Sequence, residues 1–241
     1  MSIDKIWLGL MIGNSRLHWA RFIGETLQEA WDTEFVERRR DTSSLQDEQS
    51  VPLYLASVVP TQTALWQDYP DVRVITLEQI PLRGLYPTLG IDRALAVLGA
   101  GETYGYPCLV IDAGTALTFT GVDENPSLVG GAILPGLKLQ LESLGKRTAA
   151  LPQVELPSQV PKRWAKSTPE AIESGVIYTV LSGVRDFIEA WWHSFPGSQV
   201  VVTGGDRAIL LNYLQSQYPD IAAGVIGDRH LIFWGMRKIV L

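Results

Sequence analysis

Two short apolar runs each end at a glycine turn and resume as a second strand-like run. The first, Ile6 to Met11, turns at Gly13-Asn14 and resumes over Arg16 to Phe22, where Leu17 and Trp19 stand two apart. The second, Cys108 to Ile111, turns at Asp112-Ala113-Gly114-Thr115 and resumes over Ala116 to Val122. Each pair is followed by further strand and helix patterns, so the chain reads as an internal repeat. The repeat predicts two similar α/β lobes joined near residue 105, spanning 1–105 and 106–241. The copies differ at one telling place: Met11 stands where the second copy keeps Asp112.

Between and beyond the turns the pattern alternates. Strands are expected over Leu53 to Val59, Val72 to Ile75, Leu128 to Leu134 and Gln199 to Val202. Helices are expected over Thr61 to Asp68, Ile91 to Tyr104, Leu137 to Lys146, Thr168 to Trp192, Arg207 to Gln217 and Asp228 to Ile239. Pro169 falls in the first turn of the longest helix, where its missing N–H costs nothing. Leu151 to Ser167, rich in proline and polar residues, reads as a loop or lid. Arg38-Arg39-Arg40, flanked by acids, reads as a solvated loop or helix face.

The 241 residues are 46% hydrophobic and 19% charged, enough to bury a core. A net charge of −6 argues against nucleic acid or an anionic membrane surface as the partner. The single cysteine, Cys108, opens an apolar strand and reads as a buried residue rather than a nucleophile. No apolar run reaches the ~18 residues of a membrane span, and no secretory leader pattern opens the chain, so a cytoplasmic location is expected. His18, His193 and His230 lack metal-ligand spacing.

Four segments carry candidate chemistry. Asp112 to Thr118 offers a turn whose glycine lets an anion approach backbone amides, with a hydroxyl at Thr115 and a cation-binding carboxylate at Asp112. An ordinary hairpin with a capping Asp accounts for it equally well. Thr203-Gly204-Gly205-Asp206 follows a Val-rich strand; its glycines suit a flat ring lying on backbone, and Asp206 is placed to cap the next helix. Gly90-Ile91-Asp92-Arg93 sets a carboxylate beside a guanidinium, either a base with an anion-binding fork or a helix cap with a surface ion pair. Gly130 to Gly136 is glycine-dense for a strand, which suggests close backbone approach to a ligand or another subunit.

Taken together and in order, Gly-Asn-Ser, Gly-Ile-Asp-Arg, Asp-Ala-Gly-Thr-Ala, Gly-Gly-Ala-Ile-Leu-Pro-Gly and Thr-Gly-Gly-Asp resemble type III pantothenate kinase over almost the whole chain. The resemblance implies the fold of the actin, sugar-kinase and heat-shock-chaperone ATPases, with ribonuclease H-like repeats. It implies phosphorylation of pantothenate by ATP with Mg2+, the first step towards coenzyme A. By the same resemblance Asp92 is the general base, and Tyr86, Gly90, Ile91, Asp92, Arg93 and Thr168 contact pantothenate. The segment Met11, Ile12, Gly13, Asn14, Ser15, Arg16, Leu17 and His18, together with Thr115, would hold ATP. Asp112 would bind a monovalent cation, K+ or NH4+, and the chain would form a homodimer.

The first motif departs from the family's Asp-x-Gly-Asn-Thr-x-x-Lys. Met11 replaces the acid, Ser15 the threonine and His18 the lysine. Phosphoryl transfer depends on positioning and charge stabilisation, and magnesium can ride on the nucleotide's own phosphates, so an active kinase is still expected. The alternatives are a non-catalytic ligand sensor of the same fold and a kinase for another small hydroxy acid.

Overall fold

The computed structural model describes residues 5–35 and 51–241; the Arg38-Arg39-Arg40 triplet lies outside them. Two compact units emerge, Met1–Thr103 with Leu231–Leu241, and Tyr104–His230.

The first unit is built on a five-stranded sheet of order β3-β2-β1-β4-β5. Its strands are β1 (Ile6–Ile12), β2 (Leu17–Ile23), β3 (Thr26–Thr33), β4 (Leu53–Ser57) and β5 (Val72–Val74). β1 pairs antiparallel with β2 and parallel with β4. The period of two divides β1 cleanly. Leu8, Leu10 and Ile12 point into one core with Leu17, Trp19, Leu53, Leu55 and Trp66. Trp7, Gly9 and Met11 point to the other face, where Phe22 stacks on Trp7 at 4.1 Å.

Two helices close that second face. α2 (Ile91–Tyr104) follows the pattern expected of it, and α7 (Leu231–Val240) ends the chain. They meet backbone to backbone. A Cβ on Gly99 would collide with the Leu231 carbonyl, and one on Gly235 with the Leu95 carbonyl. Met236 and Phe233 of α7 reach Gly9 of β1. The sequence pattern puts residues 231–241 in the second lobe; this glycine-mediated crossing groups them with the first unit instead.

The second unit repeats the first. Its sheet has the order β10-β9-β6-β7-β8. The strands are β6 (Cys108–Ala113), β7 (Ala116–Val122), β8 (Leu128–Pro135), β9 (Gln199–Thr203) and β10 (Val225–Gly227). Outward from β6, antiparallel β7 and β8 match β2 and β3, and parallel β9 and β10 match β4 and β5. Its helices are α3 (Leu137–Arg147), α4 (Thr168–Ser194), α5 (Arg207–Gln217) and the short α6 (Pro219–Ala223). They cover a core that includes Ile111, Phe119, Ile177, Leu181 and Tyr213. Cys108 is buried in β6, and burial pushes its thiol up to about 12, so it is packing and not a nucleophile.

Elements shift where local chemistry overrides pattern. The helix expected over Thr61 to Asp68 is one turn, α1 (Pro60–Thr63), followed by a 3-10 turn over Ala64–Trp66. β3, β10 and α6 were not expected. Residues 151–167 form no regular element but are a fastened strap rather than a lid. Leu151, Val154, Leu156 and Val160 pack on the core. Tyr178 donates to the Pro161 carbonyl at 3.0 Å, Ser174 to that of Arg163 at 2.6 Å, and Tyr213 to that of Pro157.

Candidate functional site

The candidate residues form four clusters, two in each unit. The first is the β1–β2 turn. Ile12 pairs with Leu17, and Gly13 closes the turn by donating to the Arg16 carbonyl at 3.0 Å. Met11, Ile12 and Leu17 are 1%, 0% and 1% exposed, so their side chains are core and cannot touch a nucleotide. The accessible side chains are Asn14, Ser15 and Arg16, with half-buried His18. Met11 lies between His18 of β2 and Ala56 of β4. A thioether suits that place, where an unpartnered carboxylate would be costly. His18 Nδ1 lies 2.7 Å from Asp32 Oδ1, on the neighbouring strand β3.

The second cluster opens α2. Gly90, Ile91, Asp92 and Arg93 lie at its first turn, and Ala94 donates to the Gly90 carbonyl at 3.1 Å. Asp92 Oδ1 accepts from the Arg93 amide at 2.8 Å. Arg93 is only 8% exposed, and its Nη1 donates to the Tyr86 hydroxyl at 3.0 Å. Tyr86, Asp92 and Arg93 are therefore one constellation. Burial holds the Asp92 carboxyl above the ordinary carboxylate range, against the opposing pull of the Arg93 amide and guanidinium. A Cβ on Gly90 would overlap Asp92 Oδ1, so any larger residue there displaces the carboxylate.

The third cluster gathers three chain reversals at one end of the second sheet. Gly136 donates to the Thr115 carbonyl at 2.8 Å, and Asp206 donates its amide to that of Ala113 at 2.8 Å. Gly204 has φ +91°, and a Cβ there would strike Asp112 Oδ1 and the Ala113 carbonyl. Gly205 faces open space and Thr115 is exposed. Half-buried Asp112 stands in register with Thr118 of β7 and Thr203 of β9, so three oxygen-bearing side chains share one face. Asp206 does not cap α5 with its side chain; its carboxylate takes Lys138 Nζ at 2.6 Å instead.

The fourth cluster is a cavity of about 710 Å³, whose lining includes Thr168 and Lys166 with Gln140, Leu144, Leu151 and Ile172. Thr168 is the first residue of α4, and the lining around it mixes polar and apolar side chains.

Sequence reasoning missed Asp32 and Lys138. Asp32 lies on an edge strand whose polar composition hides its β character. Lys138 follows the Gly-rich β8 segment by three residues, and only the fold shows that it reaches the β9–α5 turn. Among the described residues, no group of three or more His, Cys, Asp or Glu side chains could hold a metal ion. No helix among them is long and apolar enough to cross a membrane.

The comparisons agree with this architecture. The sequence pattern of one protein family, type III pantothenate kinase, matches residues 7–190. The chain is 54% identical to a type III pantothenate kinase of Nostoc sp., covering 99% of this chain and 95% of that protein. It is 51% identical to one of Synechocystis sp., covering 98% and 91%. Among solved structures it resembles the activator of the 2-hydroxyisocaproyl-CoA dehydratase from Clostridium difficile, with bound ADPNP, at TM-score 0.55. That match is 12% identical and covers 95% and 92% of the two chains. MreB5 of Spiroplasma citri bound to ADP follows at 0.54, 10% identical, covering 97% and 95%. These likenesses show the fold alone, the α/β lobes of the actin and sugar-kinase ATPases.

Proposed function

The chain belongs to the type III pantothenate kinase family, and from that premise we propose how its four clusters divide the work of the reaction. The family's reaction is ATP-dependent phosphorylation of pantothenate on the way to coenzyme A. Asp92 is the general base. It removes the proton from the attacking hydroxyl as the oxygen bonds to the terminal phosphorus and the bond to the leaving ADP breaks. The observation that carries this role is burial of the Asp92 carboxyl beside Arg93, which raises its basicity while a main-chain N–H fixes its direction.

Arg93, steadied by Tyr86, binds the pantothenate carboxylate with its planar fork. Gly90 and Ile91 shape the same segment, and Thr168 contributes a hydroxyl from the cavity it lines. ATP is held by the exposed part of the first turn, Gly13 to Arg16 with His18, and by Thr115. Met11, Ile12 and Leu17 serve only by fixing that turn's backbone.

The donor set at Asp112 fits a monovalent cation such as K+ or NH4+. One carboxylate and the hydroxyls of Thr118 and Thr203 are hard oxygen ligands in register. Held there, such a cation would offset negative charge on the nucleotide phosphates. Mg2+ is carried chiefly by the nucleotide's own phosphates.

A homodimer and a cytoplasmic location belong to the same proposal. The dimer is supported by β8, an edge strand that leaves Val129 and Ile133 53% and 65% exposed. The non-catalytic alternative has no finding in its favour, since the relatives that the chain matches are type III pantothenate kinases.

Gly90→Ala tests the base assignment without touching the carboxylate itself. The new methyl forces Asp92 Oδ1 to move. We expect kcat to fall by about 10²-fold with KM for ATP unchanged. Unaltered kcat would remove the requirement for a fixed Asp92.

A further inference from the structure

We propose that His18, held by Asp32, is a phosphate-binding residue of the first turn and that nucleotide binding there takes up a proton. The inference rests on the kinase function and deepens it.

The argument is one of donors and acceptors. Asp32 Oδ1 lies 2.7 Å from His18 Nδ1. A carboxylate only accepts, so Nδ1 carries the hydrogen. The other nitrogen faces the turn: a Cβ built on Gly13 would lie 3.3 Å from Nε2 and 3.5 Å from Cδ2. In the neutral ring with Nδ1–H, Nε2 is a bare lone pair. A phosphate oxygen entering the turn is also an acceptor, so the two would repel. The conflict is removed only when the ring gains a second proton and donates from both nitrogens, to Asp32 on one side and to phosphate on the other. Asp32 then does two things. It fixes the ring's direction, and its charge stabilises the imidazolium between two anions.

Among the described residues paired with His18, Asp32 is the titratable neighbour. Facing His18 across β1 is Met11, an apolar group. From β3 comes Asp32 itself. The turn adds the exposed guanidinium of Arg16. Histidine changes charge near neutrality, whereas a lysine would enter the complex already charged. The substitution of His18 for the family's lysine therefore converts a fixed cation into one acquired with the ligand.

The test is calorimetric titration with MgATP, without pantothenate, at about pH 8, in buffers of contrasting ionisation enthalpy. The wild-type protein is expected to take up about half a proton or more per nucleotide. His18→Lys is expected to bind nucleotide with that uptake abolished. Asp32→Asn is expected to lose about tenfold in affinity at pH 8, because the ring loses the carboxylate that orients it and balances its charge. Nitrogen NMR of the wild-type imidazole supplies a readout independent of any variant, with both ring nitrogens protonated in the complex. Equal uptake by wild type and His18→Lys, or an imidazole still neutral in the complex, overturns the inference and leaves the kinase function standing. Failure of the wild-type protein to bind MgATP at all overturns both.

Discussion

Asp92→Asn is expected to lower turnover by about 10²- to 10⁴-fold while leaving the protein at least as stable as the wild type at neutral pH. The first half follows from the loss of the proton acceptor. Asparagine keeps the shape and can still accept from the Arg93 amide, now 2.8 Å from Oδ1, so the geometry survives without the chemistry. The second half follows from linkage. Burial raises the Asp92 carboxyl above its ordinary value of 3.8, so the folded protein holds this proton more tightly than the unfolded chain does. Its contribution to stability is fully present below the unfolded value and is lost as pH rises through the folded one. At neutral pH the wild-type protein carries a half-buried charge that the variant does not. Thermal midpoints should therefore favour the variant at neutral pH and converge at about pH 3 to 4. The wild-type rate should fall on the acid side as the carboxyl is protonated. A variant that turns over normally, or one markedly less stable at neutral pH, would contradict this picture of Asp92.

The largest effect on stability is expected at Gly99. The helices α2 and α7 touch through main chain there, and a methyl on Gly99 would meet the Leu231 carbonyl, with the Gly235 nitrogen only 2.8 Å away. These are backbone atoms of a packed helix and cannot swing aside as a side chain can. Gly99→Ala should cost about 3 kcal/mol or more, a fall of roughly 10 °C in Tm at fixed protein concentration. Because α2 also carries Asp92 and Arg93, activity should fall with it. Gly183→Ala in α4 is the control. Nothing lies within 4 Å of its Cβ, and alanine is the better helix former, so Tm should hold or rise. Equal behaviour of the two variants would mean that the α2–α7 crossing is looser than the structure has it.

Gly99 also marks where the sequence stops being legible. The pattern Ala94, Leu95, Leu98, Glu102 locates α2 to the residue. Nothing local in it says that Gly99 meets Gly235, because that contact joins segments far apart in the chain. For the same reason nothing local in the sequence pattern groups the last helix with the first unit. The two sheets were legible where strands are buried and apolar, as in β1, β6 and β9. β3 was not, because an edge strand need bury little; Thr26, Glu29, Asp32 and Thr33 are all exposed. Asp32 was lost with it.

The candidate site divides along similar lines. Asp92, Arg93 and Tyr86 lie close in sequence, and the structure joins them through short hydrogen bonds. Lys138 and Asp206 lie 68 residues apart, and only the fold brings them within 2.6 Å. Met11 shows the opposite case. The sequence marks it as a missing acid, and the structure explains the tolerance: the side chain belongs to the sheet interior, while the turn's exposed residues and His18 remain available.

The most direct test of the account is mass-spectrometric detection of 4′-phosphopantothenate from the purified protein with pantothenate, ATP and magnesium, potassium or ammonium being present. The expected result is product formed in step with ADP and lowered by about a hundredfold or more in Asp92→Asn, showing that the first turn works with a methionine in place of its acid. Folded protein that binds both substrates and yields no product would contradict the account.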